Sequence, residues 1–312
     1  MDSIAWLLSD SNPSVRYWTL RDILDTPDND LQVQKAQKAI SQYDVVTKIF
    51  SLQKEEGFWG DPKNLWNYKN TGFNLLLLSE LGLKRDMRIE KAVEFLFNFQ
   101  QEDGHFTSRG KPSKVATNDF CLTGMFLKLL LQFEYCDARV KNARDFLVST
   151  EADGWRCGYY PQEKEKVFPE TCYMGGIKVL GAFAKLPPHL VTAAVKDIIE
   201  RYSEIYLENR IYWYRKDKNG NRTKKPSWTR FAFPLFWQSD ALEVLDVLTE
   251  LGVRDERMHQ SLELVQSKQV EGRWILERSF TGGIVHLGDV GHPSKWITMR
   301  ALRVLKRAGY CD

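Results

Sequence analysis

Ile49-Phe50-Ser51-Leu52-Gln53-Lys54-Glu55-Glu56-Gly57-Phe58-Trp59-Gly60 ends an apolar helical run with a glutamine, places a glycine four residues later and an aromatic two further on. Leu96-Phe97-Asn98-Phe99-Gln100 leads to Gly104 and Phe106 at the same offsets. Leu262-Glu263-Leu264-Val265 runs into Gln269, Gly272 and Trp274, with one residue fewer between the glutamine and the glycine. A degenerate copy keeps Phe146-Leu147, Thr150, Gly154 and Trp155, and a fifth keeps only Tyr206-Leu207 and Tyr212-Trp213. The aromatics at 59, 106, 155, 213 and 274 are spaced by 47, 49, 58 and 61 residues, room for one helical hairpin and a loop each. Repeats of this length set the fold ahead of any local reading.

The rest of the 312 residues falls into step. Asn12-Pro13 opens a helix, since asparagine caps and proline suits the first helical position. A helical pattern then runs from about Asp30 to Gln53. Beyond it, inner-helix candidates (Gly72 to Leu81, apolar nearly all round, then the apolar Asn118 to Phe133 and Glu170 to Ala184, with Ser239 to Leu251 and Pro293 to Leu305 completing the set) alternate with amphipathic runs (Arg88 to Gln101, Arg139 to Ser149, Leu190 to Leu207, Arg254 to Gln269). A helix apolar all round is an inner one, and an amphipathic helix is half exposed. Six inner helices, starting near 13, 71, 118, 170, 239 and 293, ringed by outer ones, predict a single-domain (α/α)6 toroid over residues 1–312; a superhelical solenoid is the alternative. No stretch alternates with period two, so no sheet is expected.

Composition narrows the function classes. Hydrophobic content of 43% supplies a full core, and aromatic content is high at 12%, with ten Trp. A net charge of +3 is too small to argue for nucleic acid. The first ten residues lack a basic n-region, and no apolar run reaches the ~20 residues of a membrane span. A soluble, cytoplasmic protein is expected. Five Cys without a secreted-scaffold pattern point to thiols or metal ligands rather than a disulfide framework.

Gln53-x3-Gly57-x-Trp59, Gln100-x3-Gly104-x-Phe106 and Gln269-x2-Gly272-x-Trp274 resemble the QW motif of squalene cyclases and the related repeat of protein prenyltransferase β-subunits, across nearly the whole chain. Lys225-Pro226-Ser227-Trp228-Thr229-Arg230 and His292-Pro293-Ser294-Lys295-Trp296 also resemble bacterial prenyltransferase/squalene-oxidase repeat proteins. The motif residues are structural in that superfamily, so the resemblance implies a toroid and says little about chemistry. The D-x-D-D acid of class II cyclases and the D-D-x-x-D motif of class I enzymes are both missing. Asp119-Phe120-Cys121 matches the Asp-x-Cys zinc ligands of protein prenyltransferases, and His292 stands where their later histidine would; those enzymes also have a partner subunit.

In such toroids the inner helices run parallel and their N-termini share one mouth, which favours anions and thiolates. Cys121 and Cys172 fall in first turns and Cys157 in a loop between them, so Cys121, Cys157, Cys172 and His292 are the expected zinc ligands. The alternative is that the cysteines are small buried hydrophobes. Asp119 and Asp240, also at inner-helix starts, are the catalytic candidates. Trp155, Tyr159, Trp228, Arg230, Trp237, Lys295 and Trp296 are the expected substrate-binding set. The basic stretch Arg215 to Arg230 suits an anionic head group, or is simply a solvated loop around an Asn219-Gly220-Asn221 turn. Three classes follow. One is a protein that binds or transforms an apolar, isoprenoid-like substrate with an anionic head. A second is a carbohydrate-active (α/α)6 hydrolase or lyase working with paired carboxylates. The third is a non-catalytic binding toroid.

Overall fold

The computed structural model describes residues 3–9, 11–109, 120–151, 155, 172–213, 215–216, 219, 221–280 and 282–310. They are almost wholly helical. The helices are α1 (Ser3–Leu7), α2 (Pro13–Trp18), continued by a π-helical turn Thr19–Ile23, α3 (Leu31–Ala39), α4 (Asp44–Phe50), α5 (Thr71–Glu80), α6 (Met87–Phe97), α7 (Phe120–Gln132), α8 (Ala138–Thr150), α9 (Tyr173–Phe183), α10 (Ala193–Glu208), α11 (Ala241–Glu250), α12 (His259–Ser267) and α13 (Lys295–Arg307). Two residues each of β1 (Arg215–Lys216) and β2 (Arg222–Thr223) pair antiparallel around the expected turn.

Asn12 caps α2 as expected, its Oδ1 accepting from Val15 N at 3.0 Å. The long helix expected from Asp30 to Gln53 is in fact two. α3 gives way to a 3-10 turn at Ile40–Gln42, Tyr43 is extended (φ −64°, ψ 132°), and α4 restarts at Asp44. At about 100° per residue, an unbroken helix would carry Val46 and Ile49 to nearly the opposite side from Val33 and Ile40. The break returns all four to the core, where each is at most 1% exposed.

The inner helices pack in succession: α5 on α7, α7 on α9, α9 on α11, α11 on α13 and α13 on α2. Trp18 Nε1, at the end of α2, donates to Glu80 O at the end of α5 (3.0 Å). Neighbours run parallel. Lys178 meets Glu243 and Lys185 meets Glu250, an advance of seven residues on both α9 and α11. Gly124 lies against Val179, and Gly175 against Phe120, along α7 and α9. A Cβ on Gly175 would sit 2.5 Å from the Phe120 ring, so the two helices approach closely because these positions carry none.

The repeated motif supplies the ties between hairpins. Gln53 Nε2 donates to Gly57 O (2.9 Å) in its own loop and to Arg88 O (2.9 Å) in the first turn of α6. Gln100 Nε2 does the same with Gly104 O (3.0 Å) and Arg139 O (2.9 Å) in α8. Gly57 (φ +94°) and Gly104 (φ +97°) need the left-handed region, which glycine adopts freely. Gly57 also lies so close to α6 that a Cβ would be 2.7 Å from the Lys91 backbone. The aromatic turns its backbone N–H to a threonine hydroxyl near the start of the inner helix: Trp59 to Thr71, Phe106 to Thr123 and Trp274 to Thr298, at 2.9–3.0 Å. The Trp59 and Trp274 indoles donate back to Ile49 O (2.7 Å) and Val265 O (2.6 Å), carbonyls in the last turns of α4 and α12 that also accept from Leu52 N and Lys268 N.

In the last repeat the glycine meets the start of the chain. Ser3 Oγ donates to Gly272 O at 2.6 Å, and the Arg273 guanidinium lies 4.4 Å from the Trp6 ring. Thus α1 stands to Gly272 as α6 stands to Gly57.

Replacing Gln53 or Gln100 by Glu leaves the side chain's size unchanged and turns a donor shared by two carbonyls into an acceptor. Each substitution is expected to cost about 1–3 kcal/mol, read from urea unfolding, with Gln53→Glu at least as damaging as Gln53→Ala.

Candidate functional site

Residues of all six inner helices line one central cavity with room for about 70 Å³ of water-sized occupants. Its walls are charged. Glu80 accepts from Lys128 Nζ and Arg300 Nη2, each at 2.6 Å. Lys178 Nζ is 2.6 Å from Glu243 and also donates to Gln238 O at 2.8 Å. Lys185 pairs with Glu250. Arg303 joins Asp246 and Asp22, and Asp246 also takes Arg307 at 3.1 Å. All four acidic side chains that line the cavity, Glu80, Glu243, Asp246 and Glu250, are thus ion-paired.

Burial alone would raise the Glu80 carboxyl, but Lys128 and Arg300 override it and hold it far below the usual carboxylate range. Asp246 is lowered in the same way by Arg303 and Arg307. Burial pulls the Lys178 ammonium down despite Glu243, whereas Glu80 outweighs burial at Lys128 and raises it.

Where α5 and α11 begin, the cavity is backed by aromatics. Phe236, which lines the cavity, meets Phe73 edge-on at 4.4 Å between centroids. Outside them Trp66 stacks on Trp237 (5.1 Å), and Tyr68 lies against Trp237 (5.0 Å) and Phe280 (5.9 Å). Trp66, Tyr68, Trp237 and Phe280 are half-buried. Tyr68, Phe73, Phe236 and Phe280, with Ile284, Val285 and Leu287, line a smaller pocket of about 40 Å³. The cations nearby are differently placed from those within. Arg230 is exposed and makes no ion pair among the described residues. Arg278 Nε donates to Arg230 O (3.1 Å), while its buried Nη2 has no hydrogen-bond partner among the described residues. Burial and the neighbouring Arg230 both lower the Arg278 guanidinium, with Asp240 opposing them.

The residues singled out in the sequence scatter. Asp119, Cys157 and Tyr159 lie outside the described residues. Asp240 is 1% exposed and caps α11, one oxygen accepting from Glu243 N and the other from Ala232 N, both at 2.9 Å. Burial raises its carboxyl to about 6. Trp155 is buried between Phe120 and Tyr202, its indole donating to Leu147 O (3.2 Å). Trp228 is buried against Tyr173, and Trp296 stacks on Phe233 at 4.2 Å while reaching the cavity wall. Of the expected binding set, only Trp237 and the exposed Arg230 belong to the aromatic and basic mouth. Lys295 instead holds the N-terminal segment, its Nζ on Ser11 Oγ (2.9 Å) and 5.5 Å from the Trp6 ring.

Cys121 and Cys172 approach Gly175 from two sides. Cys172 Sγ accepts from Gly175 N at 3.4 Å as the cap of α9. His292 is exposed, its carbonyl accepting from Leu276 N (2.9 Å). Cys121, Cys172 and His292 do not gather into a group able to hold a metal ion among the described residues. Sequence reading missed the cavity charges. Lys128 and Lys178 each interrupt an otherwise apolar inner helix, and a lone charge there needs a buried partner.

The acid behaviour follows from two opposite signs. Glu80 and Asp246 have folded pKa values below their unfolded ones, so the stability they contribute is present at neutral pH and lost as pH falls through the carboxylate range. Glu80→Gln strands two cations and is expected to lower stability by about 3–5 kcal/mol at pH 7, and to flatten the loss below pH ~4.5 in urea titrations. Asp240 runs the other way: its contribution is full below about pH 4 and declines as pH rises through about 6. Asp240→Ala, which removes a helix cap, is therefore expected to cost more at pH 4.5 than at pH 7, with about 1–2 kcal/mol lost from the cap itself.

No family model and no curated protein matches the chain. Among solved structures it is similar to a protein from Actinoplanes, at 14% identity and a TM-score of 0.46, over 96% of this chain and 90% of that one. No described helix is long and apolar enough to cross a membrane.

Proposed function

We propose that the hairpins close into an (α/α)6 toroid of the kind the glutamine–aromatic repeats resemble, and that its ligand is an apolar, isoprenoid-like molecule with an anionic head. Closure is supported by the succession of inner-helix contacts and by Ser3 standing on Gly272. The observation that carries the ligand reading is the half-buried aromatic group Trp66, Tyr68, Trp237 and Phe280, with Arg278 two residues from Phe280 and one guanidinium nitrogen free of partners among the described residues. Flat, polarisable rings suit unsaturated chains, and a planar guanidinium suits phosphate or carboxylate oxygens.

The ligand sits at this mouth rather than in the central cavity, whose walls are ion pairs. As it stands the mouth pocket holds little more than one water's volume, so binding moves the Ile284–Leu287 wall, which is bounded by Gly283 and Gly288. The role proposed is binding. The cavity carboxylates are committed to cations, and both Asp240 oxygens to backbone N–H groups, so none is offered as a general acid or base.

Tryptophan fluorescence tests this. Farnesyl diphosphate is expected to quench saturably, Trp237→Ala to abolish most of the quenching, and Arg278→Gln to weaken diphosphate binding about tenfold, the loss of one charge-assisted contact. Farnesol should bind more weakly and be indifferent to Arg278→Gln. Absence of a saturable change with either probe overturns the reading.

A further inference from the structure

We propose that the central cavity is a second, separate site, for a small monoanion such as a carboxylate of one or two carbons, held where Lys128 and Arg300 share Glu80. Among the described residues the cavity lining carries five cations against four carboxylates. Lys178 with Glu243 and Lys185 with Glu250 are matched one to one. Arg303 and Arg307 face Asp246 and Asp22, two against two. The surplus positive charge therefore falls on Glu80, which answers two cations, both at 2.6 Å. Arg300 is 9% exposed and Lys128 24%, so bulk water screens that surplus poorly. Neither cation lacks a partner, but together they leave one positive charge for an anion to neutralise.

A second observation points to the same spot. Gln132 lies one turn beyond Lys128 on the same face of α7 and also lines the cavity. Its buried Oε1 has no hydrogen-bond partner among the described residues. Turned over, that amide presents a donor to the same space. The room available, about 70 Å³, exceeds the share of two waters and suits formate or acetate. Leu76, Met299 and the Trp18 ring line the remaining wall, a fit for a short carbon tail that a halide would not use. The site lies on the helix-C-terminal side of the aromatic mouth and stands whether or not the mouth binds an isoprenoid.

Calorimetric and thermal titrations at constant ionic strength decide it, with sodium acetate as probe and acetamide as the neutral isostere. Acetate is expected to bind once per chain and to raise the unfolding midpoint by roughly 5 °C at a hundredfold excess over Kd, with no response to acetamide. Gln132→Leu, which breaks no ion pair, should weaken acetate about tenfold. Lys128→Met should abolish its effect, and because it also removes one of the two hydrogen bonds to Glu80 it is expected to lower the acetate-free midpoint. A response that never saturates, that acetamide reproduces, or that survives Gln132→Leu at full strength overturns the site. If Lys128→Met does not fold, the Gln132→Leu comparison is decisive alone.

Discussion

One amide group holds two hairpins together. The Gln53 and Gln100 side chains each give one nitrogen to two carbonyls, one in the loop behind and one in the outer helix ahead. A buried carbonyl without a donor is costly, so the contact fixes how far each hairpin is rotated against the next. Arginines reinforce it: Arg88 lies 3.8 Å from the Phe50 ring and Arg139 3.7 Å from Phe97, each also bound by the aspartate two residues earlier that caps its helix. Rotation set on the outside determines which residues point inward, and so the cavity is a product of the outer ties.

Nearly half of what lines the cavity is charge, nine residues of twenty. The inner helices bury leucine, phenylalanine and glycine against one another and give their remaining face to Lys, Arg, Glu and Asp. Such pairs specify neighbours more than they stabilise the fold, since desolvation consumes much of their attraction. The apolar, aromatic chemistry is displaced to the end where α5 and α11 begin, where Trp66 and Trp237 stack with part of their surface open.

The all-helical character of the chain and the capping at Asn12 were legible because periodicity and turn chemistry are local. Three things were not. The interruption at Ile40–Gln42 was written in the phase of Val33, Ile40, Val46 and Ile49, and a count of apolar residues without their angles passes over it. The Asp-x-Arg repeat at Asp86, Asp137 and Asp255 is local, but the reach of Arg139 to Glu94 and of Arg257 to Glu204 across hairpins is not. The roles of Asp240 and Trp155 could not be read at all: a carboxyl at a helix start caps or reacts according to what faces it, and an indole fills or binds according to what covers it. Only distance separates those outcomes.

Ser3 on Gly272 has a consequence for how the chain is made. α1 finds its partner in the repeat around Gly272, 269 residues later. At ~5–20 residues per second, α1 waits on the order of 15–50 s on the ribosome with Trp6 and Leu7 uncovered. Hairpins between can settle on their predecessors as they emerge, whereas the seam cannot. α1 also packs on α13, so a second of its contacts waits on the same late stretch of chain.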